Sequence, residues 1–351
     1  MEEQRLLSAN LDGLNWEAIA EYLRTNIDGL SNEPIKVKKF PAGYSNLTYL
    51  IKIGAWEAVL RRPPFGIIPP KAHDMEREYR ILTKLYPIFS LAPKPYLYCE
   101  NPAIMEKHFY IMEKKVGHVL DEELPAEYGS SEQIGKTISE AVVNTLVQLH
   151  EIDIEDANLM DIGKPEGYLE RQVHGWIKRY HQSKTNQIVG IEEIETYLLA
   201  NIPSSPKATI VHNDFKLNNM MFDRQDPGKV VGVFDWELCT IGDPLTDLGS
   251  ALAYWTEQDE AETGLTSVTN QPGFLQRKDL IELYTMKSNR DLSNIDFYLT
   301  FAFFKIAVIL QQIYYRFKTG EIQDARFEKL NIGIKNLIYQ AVNAKNKRLL
   351  R

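Results

Sequence analysis

Cysteine is nearly absent from this chain. There are two in 351 residues, Cys99 and Cys239, and no CxxC pair. That excludes a disulfide framework and a thiolate zinc site, and it suits a reducing cytoplasm. Positive charge is also in deficit. Forty Lys and Arg stand against forty-eight Asp and Glu, a formal charge of −8. Duplex-binding surfaces are usually basic and clustered, so no nucleic-acid partner is expected. The opening residues, MEEQRLLSANLDGLNWEAIA, lack the basic start and apolar run of a signal peptide. The most apolar stretch, LTFAFFKIAVIL (299–310), is short for a bilayer and carries Lys305. It reads as a buried helix, and no membrane contact is expected. The segment GSSEQIGKT (129–137) approaches a P-loop but has one residue too many between its glycines. No apolar strand precedes it, and a helix start capped by Ser131 accounts for it.

What remains is an ordinary globular composition, 44% hydrophobic and 25% charged. At roughly 150 residues per domain the length suggests two domains, or two lobes of one fold. Residues 15–29 repeat apolar side chains at helical spacing and end at Gly29. IKVKKF (35–40), YSNLTYLIKI (44–53) and WEAVLRR (56–62) are short, β-branched and glycine-punctuated, which predicts an antiparallel meander. A Pro-rich insertion (63–70), a helix over 73–86, and strands at 96–100 and 108–113 follow. Beyond residue 114 helices dominate: 132–150, 168–183, 191–200 and three more near 277–289, 294–318 and 323–348. Short strands at 208–212, 219–223 and 229–236 interrupt them.

The chemistry is concentrated in IVHNDFKLNNMMFD (210–223) and VVGVFDWE (230–237). An apolar strand delivers His212 and Asp214 to a loop, Asn218 and Asn219 follow, and a later strand ends in Asp235. Two strands ending in Asp and Asn make a hard-oxygen cluster, which suits Mg²⁺ with its preference for few carboxylates, water and phosphate oxygens. A further carboxylate upstream on the loop can meet a substrate hydroxyl. Those are the parts of phosphoryl transfer. Asp and Asn alone are common in turns, but the run H-x-D-x₄-N, φφφ-D-W-E and G-D-P-L-T-D-L is much more specific.

Taken together, VHNDFKLNNMMF, VVGVFDWE and IGDPLTDLG resemble the aminoglycoside phosphotransferase and choline kinase superfamily, which is related to protein kinases. VLRRPP…REY…FDWELCTIGDPLTDLG is closest to the branch also found as a kinase-like domain fused to acyl-CoA dehydrogenases. The resemblance implies an α+β, bilobal kinase-like fold. Residues 1–113 would form an ATP-binding lobe of antiparallel strands with a leading helix, and 114–351 a helical lobe with the catalytic loop and acceptor site. By position, Asp214 matches the catalytic base, and Asn219 and Asp235 match the magnesium ligands. His212 matches a loop-supporting residue, and Asp243 and Asp247 a buried acidic pair that braces the loop. Gly43 and Ser45 fall where the family covers the phosphates, although AGYSN is not GxGxxG. Arg61 takes the place of the kinase phosphate-contacting Lys, with Glu78 as its partner; strand alternation would send only one of Arg61 and Arg62 inward. Backbone groups from Glu113 to Lys115 would meet adenine, with Ile111 and Met112 as apolar walls.

The expected activity is ATP- and Mg²⁺-dependent transfer of the γ-phosphoryl group to a hydroxyl of a small molecule. The alternatives are a catalytically weak, kinase-fold nucleotide-binding module, which Arg61 in place of Lys brings to mind, and a metal-dependent phosphohydrolase. The family's acceptors range over aminoglycosides, macrolides, choline, homoserine and hydroxyacyl thioesters. The helices after Thr246, with Tyr254 and Trp255, would build the acceptor site. Net acidity says nothing about the sign of a pocket. A cytoplasmic location is expected, and the oligomeric state is open.

Overall fold

The computed structural model describes residues 11–40, 46–66, 73–265 and 268–350. The chain separates into two compact units. The first runs to Val116 and includes Gly232–Glu237; the second holds Gly117–Val231 and Leu238–Arg351.

In the first unit, α1 (Trp16–Asn26) begins where the Asn15 side chain accepts the Ala18 N–H at 3.1 Å, a common helix cap. Five strands follow: β1 (Lys36–Lys39), β2 (Leu47–Ile53), β3 (Trp56–Arg62), and, after α2 (Met75–Leu85), β4 (Pro95–Cys99) and β5 (Phe109–Glu113). They form an antiparallel sheet in the order β1-β2-β3-β5-β4. Asp74 caps α2 by accepting the Arg77 N–H at 2.9 Å.

Register fixes what each face carries. Leu60 lies opposite Tyr49 and Ile111, while Arg61 lies opposite Thr48 and Tyr110. Tyr49, Ile51, Leu60, Phe109 and Ile111 share one core with Trp16, Ile19 and Leu23 of α1. Val59, Arg61, Tyr110 and Met112 therefore line the opposite face. This corrects the expectation for Ile111. It cannot wall an adenine pocket beside Met112, because successive residues point to opposite faces.

The expectation for the arginine pair also changes. Both are buried, Arg61 at 8% exposure and Arg62 at 2%, because both faces of β3 are covered. Arg62 lies on the Leu60 face. Its guanidinium sits 4.2 Å from the Phe65 ring centre and its Nε donates to the Pro63 carbonyl at 3.1 Å. Arg62→Ala should therefore cost about 1–3 kcal/mol through lost packing. Its melting temperature should fall while nucleotide affinity stays within twofold. A tenfold loss of ATP affinity in a folded variant would show that Arg62, and not only Arg61, meets the expected nucleotide.

The second unit contains β6 (His118–Val119), α3 (Ser131–His150), α4 (Tyr168–Ser183), α5 (Ile191–Ala200), β7 (Thr209–Val211), β8 (Met220–Phe222) and β9 (Val230–Val233). Then come β10 (Thr240–Gly242), α6 (Pro244–Tyr254), α7 (Arg277–Ser288), α8 (Ile295–Lys318) and α9 (Leu330–Lys345). β7 pairs with β10, and β6, β8 and β9 form a second small sheet. The last residues of β9 carry the chain into the first unit. Ser131 is the first residue of α3 rather than its cap; Ser130 holds the cap position without a side-chain cap bond. By length and composition α8 could cross a membrane, but 78% of its apolar window is buried. It packs against α4, α6 and α9, as a core helix does.

Candidate active site

Asp235 follows β9 with φ of 67°, a left-handed conformation that is uncommon for non-glycine residues. Such strain persists where the surroundings over-determine it. Here Val233 N–H donates to the Leu91 carbonyl at 2.9 Å. Trp236 is buried, its indole N–H donates to the Val233 carbonyl at 2.8 Å, and its ring meets Phe89 edge-on at 5.9 Å. The turn places an Asp235 carboxylate oxygen 2.6 Å from Arg61 Nη2. Glu78 of α2 lies 3.4 Å from Nη1, and Glu237 lies 3.8 Å from Nη2.

Three carboxylates thus surround one guanidinium. Burial pushes Glu78 up to about 7; Arg61 pulls against that, and Asp235 and Glu237 add to it. Burial also disfavours the Arg61 charge, but Glu78, Tyr110 and Asp235 outweigh it and hold the guanidinium more firmly protonated than usual. Glu237 is fixed in turn: Asn46 donates to its carboxylate at 3.0 Å, and Arg77 donates to its carbonyl at 2.6 Å. The Asn46 amide oxygen pairs with His73 Nδ1 at 2.8 Å. The local excess of anionic oxygen suits a divalent cation. Among the described residues no group of three or more His, Cys, Asp or Glu has metal-site geometry by itself. A metal bound here would need oxygen from an amide, water or phosphate, which matches Mg²⁺ chemistry.

In the second unit β7 ends at the loop that carries Asp214. The loop is held from below by Asp247, in the first turn of α6. Asp247 accepts the backbone N–H of His212 and, at 2.6 Å, that of Asn213. Burial would raise Asp247, but its hydrogen bond to His150, the charges of His150 and His212 and the His212 N–H hold it below the usual carboxylate range. Asp243 caps α6 by accepting the Leu245 N–H at 2.9 Å, and Tyr298 donates to it at 2.7 Å. Asn213 has φ of 68°. The next residue, Asp214, donates its N–H to His212 Nδ1 at 3.2 Å, so His212 is bonded into the loop.

The Asp214 carboxylate is gripped from within that loop. Asn219 Nδ2 donates both to its carbonyl and to its Oδ2, each at 2.9 Å. Lys216 Nζ is 3.0 Å from Oδ2 and 5.0 Å from the centre of the Tyr254 ring. With the Asn219 amide nitrogen turned to Asp214, its amide oxygen is the atom left to meet a cation. Burial, then the nearby Asp214 charge, raises the Tyr254 hydroxyl well above its ordinary value.

Arg61, Glu78 and Asp235 are thus together in one unit, and Asp214 and Asn219 together in the other. Glu113 ends β5, accepts the Lys94 N–H at 3.1 Å and pairs with Lys115 at 3.0 Å; Lys115 also donates to the Ser90 carbonyl at 2.9 Å. Gly43 and Ser45 lie outside the described residues. Asn46 ends the AGYSN segment expected to cover the phosphates, and its side chain bonds to Glu237 and His73; for Lys216, and for Glu237 beside Arg61, the sequence carries no expectation. The available signals were slight: Glu237 in D-W-E, and a Lys two positions after Asp214.

The profile of the Phosphotransferase enzyme family matches residues 36–270. Acyl-CoA dehydrogenase family member 11 of Rattus norvegicus is 33% identical over 312 residues, 86% of this chain and 40% of that protein. The chain therefore spans about 40% of the length of that curated relative. A candidate aminoglycoside phosphotransferase from Ralstonia eutropha JMP134 has a TM-score of 0.80 and 29% identity, over 94% of this chain and 98% of that one. A thermostable aminoglycoside phosphotransferase mutant, solved in ternary complex with ADP and hygromycin B, has a TM-score of 0.59 and 12% identity, over 93% and 98%. At that identity the likeness is one of fold alone.

Proposed function

The chain belongs to the Phosphotransferase enzyme family, and from that premise we propose that it transfers the γ-phosphoryl group of ATP to a hydroxyl of a small molecule, with Mg²⁺. The observation that carries this reading is Asp214: a carboxylate at the tip of a loop locked by Asp247 and oriented by Asn219 and Lys216. ADP in the solved relative supports the choice of nucleotide.

In this reading Asp214 orients the acceptor hydroxyl and takes its proton. That oxygen bonds to the γ-phosphorus as the bond to ADP breaks, so the products are a phosphomonoester, ADP and one proton. The transition state is loose, so the proton leaves late and a carboxylate suffices as acceptor. Asp235 and the Asn219 amide oxygen are the residues that would hold Mg²⁺, which neutralises phosphate charge when bound. Arg61, fixed by Glu78, supplies permanent positive charge to phosphate oxygens. Glu113 to Lys115 would offer backbone groups to adenine beside Met112, and Gly43 and Ser45 would cover the phosphates.

One observation favours a second reading, a nucleotide-binding module with weak catalysis. Arg61 is already surrounded by three carboxylates, so its charge is largely answered from within the protein.

Thermal denaturation tests the nucleotide assignment. ATP should raise the melting temperature more with Mg²⁺ than with EDTA, since binding to the native state stabilises it by roughly 2.7 kcal/mol at a hundredfold excess over Kd. Asp235→Ala should lose that difference. A variant that keeps the full Mg²⁺-dependent shift rules Asp235 out as a ligand.

A further inference from the structure

The second unit contains a cavity of about 310 Å³ that opens beside the catalytic loop. Asn213, the residue before Asp214, lines it, together with Lys164, Arg171, Arg179, Lys305 and Trp176. Four of its lining residues are cations and none is a carboxylate, in a chain whose formal charge is −8. None of the four cations makes an ion pair among the described residues. Arg171 donates to the carbonyls of Glu166 and Lys164. Arg179 lies over the Trp176 ring, 4.6 Å from its centre, and Lys305 approaches the same ring at 5.9 Å.

Lys305 is the most telling member. It sits in the middle of the core helix α8 at 7% exposure. Its ammonium has three donors, and it donates to the Asn213 carbonyl at 2.8 Å. Buried ammonium groups are costly unless paired. Burial lowers its pKa, Asp214 and Asp247 raise it, and Lys216 and Arg179 lower it further. An oxyanion in the cavity would satisfy the remaining donors and offset the crowding of like charge.

We propose that this cavity recognises an anionic oxygen group, a carboxylate or a phosphate, on the molecule whose hydroxyl meets Asp214. The acceptor class is then a hydroxylated anion rather than a polyamine or a quaternary ammonium alcohol. The inference rests on the phosphotransferase reading for the role of Asp214, but the anion site itself does not need it. A cationic acceptor would place like charge against these four cations, which disfavours it at short range.

The test uses the whole chain without nucleotide and reads the fluorescence of Trp176. Four hydroxyl probes of similar size are titrated: 4-hydroxybutyrate, glycerol 3-phosphate, glycerol and choline. At least one of the two anions should change the emission, and Trp176→Phe should abolish that change. Whichever anion binds more tightly distinguishes carboxylate from phosphate. Because Lys305 is buried, the exposed pair Arg179→Glu and Lys164→Glu carries the charge test. Each should raise the Kd at least tenfold, and added salt should weaken binding. Choline binding better than both anions, equal binding of all four probes, or charge-reversed variants with unchanged Kd overturns the proposal. The same probes are then assayed for ATP-dependent phosphorylation. Anion binding at Trp176 without turnover of any probe supports the cavity assignment and counts against the transferase reading. Turnover of choline or glycerol in preference to both anions does the reverse.

Discussion

Asp214→Asn will bind nucleotide nearly as the native protein does and will lose phosphoryl transfer by about 10²- to 10⁴-fold, the usual range for a general base. The substitution preserves shape. The loop geometry should survive as well, because it depends on Asp247 accepting two backbone N–H groups rather than on the Asp214 carboxylate. One local change is expected: the bond from Asn219 Nδ2 and the ion pair with Lys216 both use Oδ2, and an amide accepts there less strongly than a carboxylate. A modest rise in mobility of the 214–219 loop should accompany the loss of rate. Single-turnover transfer measured beside nucleotide affinity in one preparation separates the two effects. Full turnover would make Asp214 a structural residue.

The second large effect is at Arg61. Arg61→Ala removes the guanidinium that lies 3.4 Å from the Glu78 carboxylate and leaves that buried group without this partner. Breaking a buried pair from one side typically costs about 3–5 kcal/mol. Arg61→Ala should therefore melt at a much lower temperature and bind ATP weakly. The double variant Arg61→Ala/Glu78→Gln separates these losses. Removing the stranded carboxylate should restore most of the stability, while ATP affinity should stay low under the proposal that Arg61 faces the phosphates. If affinity returns along with stability, Arg61 acts only as a structural counter-ion.

The same pair sets a pH dependence with a definite sign. Glu78 stands at about 7 in the folded chain against an ordinary 4.5. The native state thus holds an extra proton between those values, so stability is greatest at and below the lower one and declines as pH rises toward 7. Glu78→Gln should flatten that decline over the same window.

How legible this was in the sequence depended on the range of the interactions involved. Helices such as α1 and α8 announce themselves through apolar spacing, and β2 and β3 through β-branched alternation between glycines, because both signals are local. β6 and β10 carry no local signal, because HV and TIG lack the apolar run that marks the equally short β7 and β8. The grouping of 232–237 with the first unit depends on Val233 meeting Leu91 and Trp236 meeting Phe89, contacts across a separation that no local pattern records. At the candidate site, Asp214, Asn219 and Asp235 were marked by the spacing of a motif. Glu237, Asn46 and Lys216 were not, since a polar residue in a loop looks alike whether it faces solvent or a guanidinium. For Ile111 the local rule suffices: strand alternation puts it opposite Leu60 on the core face, while Met112 lies on the other. The cationic cavity was hidden as well, because its four charges come from the 164 region, α4 and α8 and converge only in three dimensions.

The central claim is that this chain forms a phosphomonoester. Phosphorus NMR of the native protein with ATP, Mg²⁺ and a panel of hydroxyl-bearing anions, amines and neutral polyols measures that directly. The account predicts a new phosphomonoester resonance growing in step with ADP for at least one acceptor, and growth slowed at least about a hundredfold with Asp214→Asn under the same conditions. ATP that binds but yields no phosphomonoester across the panel, or only ADP and inorganic phosphate at equal rates with and without acceptor, would contradict it.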